Sequence, residues 1–75
     1  MMHQAPFTRV ADAAFALIEA HRDGKTKLTR KAGNFLGECV VDGEQPLSQR
    51  QGEWISTLLN KAGLPAIDGL EARHG

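Results

Sequence analysis

Apolar residues recur early in the chain at Phe7, Val10, Ala11, Ala14, Phe15 and Ile18. That is the i, i+3, i+4, i+7 rhythm of an amphipathic helix, and it predicts a first helix over about 8–22. Thr8 stands where an N-cap hydroxyl is wanted and Gly24 where a helix stops. Arg9, Asp12, Glu19 and Arg22 fall on the wet face. A second stripe, Leu28, Ala32, Phe35, Leu36, Cys39 and Val40, predicts a helix over about 29–42, capped by Thr29 and stopped at Gly43. Val40 and Val41 are β-prone, so "ECVVDGEQ" has a second reading as a hairpin turning on Asp42-Gly43. No other run alternates apolar and polar residues to pair with it, and the helix is preferred. The third stripe, Trp54, Ile55, Leu58, Leu59 and Ala62, predicts a helix over about 48–62. Ser48 and Gln51 match a capping box, and Gly63-Leu64-Pro65 suits a Schellman ending with Leu64 folded back on Leu59. In the tail, 64–75, Ile67 and Leu70 suffice to dock, and 68–71 could form one further helical turn.

The second and third stripes repeat each other. "LTRKAGNFLGECV" laid over "LSQRQGEWISTLL", nineteen residues later, matches Leu28 with Leu47, Thr29 with Ser48, Lys31 with Arg50 and Gly33 with Gly52. Phe35 then meets Trp54, Leu36 meets Ile55, Cys39 meets Leu58 and Val40 meets Leu59. Glycine inside a helix costs about 1 kcal/mol relative to alanine. Two such glycines at one offset predict close approach of the helices near Gly33 and Gly52; shared capping grammar alone would also produce the match. The expected fold is all-α, a small three-helix bundle. Its C-terminal αα-hairpin is built from the two similar helices, and the first helix covers the open apolar side.

Seventy-five residues form one domain, residues 1–75. A chain of that size buries only about 60% of its unfolded surface. Small domains often recruit disulfides, a metal or a second subunit. One cysteine excludes an internal disulfide. His3, His21 and His74 are too scattered for a metal site, so neither metal nor cofactor is expected. Phe7, Phe15, Phe35 and Trp54 cannot all be central in so small a bundle. At least one should lie at the rim, where a homodimer or a partner could cover it. No signal-like or membrane-spanning run is present, so the chain is expected to be cytoplasmic, with no membrane partner.

Nine basic and nine acidic residues cancel, which speaks against a general polyanion binder but leaves room for local patches. Five basic residues, Arg22, Lys25, Lys27, Arg30 and Lys31, fall within 22–31 beside one acid, Asp23. Arg30 and Lys31 open the second helix, where the macrodipole disfavours cations, while Glu38, Asp42 and Glu44 crowd its other end. The segment is either a solvated surface or a basic edge for phosphates or an acidic partner, with Thr29 adding a donor. A second contact face is offered by Gln49, Arg50, Ser56, Thr57 and Asn60. Such residues can read base edges, yet they are also ordinary helix surface, and Glu53 among them would repel phosphate. Trp54 sits on the apolar stripe and reads as core before stacking platform. Cys39 reads as a small hydrophobe, since neither His21 nor His74 is spaced to activate it. No carboxylate pair, phosphate loop or nucleophile elbow appears, so no catalytic residues are assigned.

The pattern carried by Leu28-Thr29, Phe35-Leu36, "LSQRQ" at 47–51, Trp54-Ile55 and Leu58-Leu59 resembles a small helical module of bacteriophage and mobile-element proteins. The resemblance spans about residues 28–63 and consists mainly of caps and core positions. It implies a setting in phage or plasmid nucleic-acid metabolism and brings no catalytic residues. Two functions follow as expectations. One is a non-catalytic binding module touching nucleic acid through 22–31. The other is a protein–protein adaptor or inhibitor of a host protein.

Overall fold

The structure, a computed structural model, describes residues 6–43 and 46–68. Three helices follow one another: α1 at Val10–Arg22, α2 at Arg30–Val41 and α3 at Gln49–Ala62. The all-α three-helix architecture expected from the periodicity is the one observed. Val40 and Val41 are helical, which removes the hairpin reading of that segment. Residues 69–71 of the proposed turn, Leu70 among them, lie outside the described residues, as do Glu44, His3 and His74.

Local chemistry accounts for most helix ends. Thr29 Oγ1 accepts from the Ala32 amide and opens α2. In the capping box of α3, Ser48 Oγ accepts from the Gln51 amide while Gln51 Oε1 accepts from the Ser48 amide. Gly63, with φ 72°, closes α3 in the left-handed region. The Leu64 amide reaches the Leu59 carbonyl at 2.9 Å, completing the Schellman pattern. The same device ends α1, where Gly24 has φ 81° and the Lys25 amide bonds the Ala20 carbonyl at 2.8 Å.

The start of α1 differs from expectation. Arg9, in extended conformation, holds the N-cap position with no side-chain bond, and Thr8 does not cap. The cause is tertiary. Phe7 forms an isolated parallel bridge with Ile67: its amide bonds the Ala66 carbonyl at 2.9 Å, and its carbonyl accepts from the Asp68 amide at 2.6 Å. This pairing holds Phe7 outside the helix, with the chain bending at Thr8 and Arg9 before α1 begins, and it seats Ile67 in the core at 3% exposure.

The buried face of α1 is also rotated from the expected stripe. Ala13, Ala14, Leu17 and Ala20 are buried, whereas Phe15 is 53% exposed. Helix α1 packs directly on both α2 and α3, while no Cα of α2 lies within 8 Å of one in α3. The middle position therefore belongs to α1, and its three small alanines let neighbouring backbones come close on that face. Leu36, Ile55 and Leu59 complete the core with Phe35, Cys39 and Ile67. The close approach expected at Gly33 does not occur, since a Cβ there would meet nothing within 4 Å. Helices α2 and α3 meet through side chains instead. The Phe35 and Trp54 rings stack with centroids 4.8 Å apart and planes 10° from parallel, inside the favourable range for an aromatic pair.

Candidate functional site

The basic segment occupies the corner between α1 and α2. Arg22 ends α1, Lys25 and Lys27 lie in the connector, Thr29 caps α2, and Arg30 and Lys31 are its first two residues. All six are exposed. Helix α1 is charged in harmony with its macrodipole, with Asp12 in its first turn and His21 and Arg22 in its last. Helix α2 is not, having no acid in its first turn and no base in its last. Because the ordinary end of one helix adjoins the reversed end of the next, cations accumulate at one corner.

The connector has a defined shape. The Schellman bonds at Gly24 close α1, the Thr29 cap opens α2, and the Leu28 amide donates to His21 Nδ1 at 3.1 Å. His21, considered in the sequence only as a partner for metal or Cys39, thus clamps the two ends of the basic connector.

The second contact face is less free than its composition implies. Gln49, Arg50, Thr57 and Asn60 are exposed and Ser56 is half-buried. Gln49 Nε2 donates to Glu53 Oε2 at 3.4 Å, and Thr57 Oγ1 donates to the Glu53 carbonyl at 2.9 Å. Both groups are engaged with the one acid of that face.

No known protein family, curated protein or solved structure matches this chain.

Helix α3 does bring its first turns to the basic segment. A groove of about 350 Å³ is lined by Lys31, Ser48, Arg50, Gln51 and Trp54. Lys31 and Arg50 are equivalent positions in the internal repeat, as are Phe35 and Trp54. Of these pairs, Phe35 and Trp54 stack on each other, and Lys31 and Arg50 line one groove. The alignment held this signal, but periodicity says only which residues match, never that they face one another.

Cys39 is buried, and burial, with the Glu38 charge second, pushes its thiol above the ordinary range. The thiol stays protonated, the opposite of an activated nucleophile. Among the described residues no three His, Cys, Asp or Glu side chains group as a metal site, and no helix is long and apolar enough to cross a membrane.

Proposed function

We propose that this protein is a non-catalytic helical binding module whose basic corner at 22–31 takes the backbone of a nucleic acid, as an accessory in phage or mobile-element nucleic-acid transactions. The observation that carries this reading is the shaped α1–α2 corner, where five exposed cations share a connector fixed at both ends. Holding cations together against mutual repulsion gains nothing for a fold this small, whereas phosphates released from their counterions would reward it. The phage setting is part of the proposal and rests on the pattern of residues 28–63 alone.

Titration of labelled single- and double-stranded DNA and RNA at low salt tests it. Binding is expected at dissociation constants of about 100 µM or below and should weaken steeply with added salt. Replacing Lys27, Arg30 and Lys31 by Ala should remove it; binding indifferent to that change would end the proposal. A sharper test separates function from stability. Arg30→Glu with Lys31→Glu places acids at the positive end of α2 and should stabilise the fold by about 0.3–1 kcal/mol each at low salt. The same pair should abolish nucleic-acid binding. A double variant that melts higher and binds nothing is the expected result; one that binds as before removes the corner from the site.

A second reading, a protein–protein adaptor or inhibitor of a host protein, is favoured by a separate observation. Phe15 and Val41 are large apolar residues exposed at 53% and 88%. Phe15 is the rim aromatic that crowding predicted. A partner recovered from host lysate after nuclease treatment, and lost with Phe15→Ser, supports this reading; nucleic acid recovered alone supports the first. Light scattering over a hundredfold dilution examines the homodimer: an 8.1 kDa mass at every concentration excludes self-association as the cover for Phe15.

A further inference from the structure

We infer that the groove between the starts of α2 and α3 is a stacking site for an unpaired base, with Trp54 as its platform and Lys31 and Arg50 holding the flanking phosphates. The inference rests on the nucleic-acid reading above and specifies the strand and the residues.

The lining selects for an anion. Of the five described residues around the groove, two are cationic and exposed, and none is a carboxylate. Ser48 and Gln51 act as acceptors within the capping box, Ser48 through its hydroxyl oxygen and Gln51 through Oε1. Among the described residues, the Ser48 hydroxyl proton and both Gln51 Nε2 protons meet no acceptor and can donate outward. The apolar wall selects further. Trp54 is half-buried, and its ring lies nearly parallel to Phe35 at 4.8 Å, so its orientation is fixed before any ligand arrives. A pre-set indole beside two cations matches a ligand that offers a flat π-face and a negative charge one bond network away. A nucleotide offers both in one unit; an acidic peptide without aromatic side chains, such as poly-glutamate, offers only the charge. The volume, about 350 Å³, lies at the small end of ligand pockets, which run from roughly 300 to 1,000 Å³. In a duplex the base faces are already stacked on each other, so only a single strand, a bulge or an end can present one.

Trp54 is the sole tryptophan in the chain, so its fluorescence reports the site directly. The intact protein is titrated with a fluorophore-labelled oligothymidylate, a duplex of equal length, inorganic tripolyphosphate and poly-glutamate, following Trp54 emission and oligonucleotide anisotropy together. The single strand is expected to quench Trp54 and bind on the order of tenfold tighter than the duplex, which should leave emission unchanged. Tripolyphosphate should compete without quenching. Arg50→Ala, an exposed change that spares the Phe35–Trp54 stack, should weaken the single strand several-fold and the duplex much less. Trp54→Phe, which keeps an aromatic against Phe35, should cost the single strand several-fold while the melting temperature stays close to that of the parent. Equal binding of single strand and duplex without quenching, sensitive to Lys27 but not to Arg50, would overturn the stacking site and leave the basic corner standing. Absence of any oligonucleotide binding would overturn both. Poly-glutamate bound as tightly as the single strand would assign the groove to an acidic protein partner instead.

Discussion

Replacing Leu17 by Ala is expected to remove about half of the protein's folding stability. Leu17 is completely buried in the middle helix, among Ala13, Ala14, Leu36, Ile55 and Leu59. Its neighbours belong to all three helices, so no single element can shift to close the space. Leu→Ala changes in such sites cost about 2–5 kcal/mol. A domain of 75 residues has only about 4–11 kcal/mol in all, at roughly 0.05–0.15 kcal/mol per residue. The informative comparison is Phe15→Ala, two positions away on the same helix. It removes a larger side chain, but one 53% exposed, and should cost less than about 1 kcal/mol. Urea denaturation followed by far-UV circular dichroism measures both. If the two changes cost the same, or Phe15 costs more, the face of α1 assigned to the core is wrong.

The second large effect concerns two glycines, one inside α2 and one just beyond its end. Gly43→Ala should destabilise the fold by about 1–3 kcal/mol, the usual cost of an atom forced into occupied space. A Cβ at Gly43 would stand 2.6 Å from the Ala11 Cβ and 3.0 Å from the Cys39 carbonyl oxygen. Neither is the flexible tip of a long side chain; one is a methyl on the middle helix and the other is backbone. Relief therefore requires α1 and the end of α2 to separate. Gly33→Ala should do the reverse and stabilise by roughly 0.5–1 kcal/mol, since it adds a helix-favouring residue inside α2 with nothing within 4 Å of the new Cβ. Thermal melting of the two single variants reads the sign directly. A destabilised Gly33→Ala would restore the close helix approach that the repeat first implied.

These contrasts define where sequence reasoning reached and where it stopped. Helix existence, the Thr29 cap, the Ser48–Gln51 box and the Gly24 and Gly63 endings were all legible, because each depends on residues within about one turn of each other. The stripes of α2 and α3 were legible for a related reason: each helix buries one main face, so periodicity marks it. Helix α1 was misread at Phe15 and Leu17. A helix in the middle position touches two partners, and its apolar residues spread too widely round the cylinder for spacing to mark which contact wins.

The candidate site divides along the same line. The cluster at 22–31 is a run of neighbours in the chain and could be seen directly. That Lys31 would share a groove with Arg50 and Trp54 could not, since those residues lie on different helices and only packing decides which faces oppose. The role of His21 is of the same kind, because its bond to the Leu28 amide crosses the bend that follows α1. The bridge from Phe7 to Ile67 joins segments sixty residues apart and displaces the Thr8 cap that local grammar favoured. One hydroxyl bond at a helix start contributes about 1 kcal/mol. Two backbone bonds formed while Ile67 enters the core outweigh it. Local chemistry thus set the helices and most of their ends, and long-range burial set their order, their inward faces and the residues that meet at the groove.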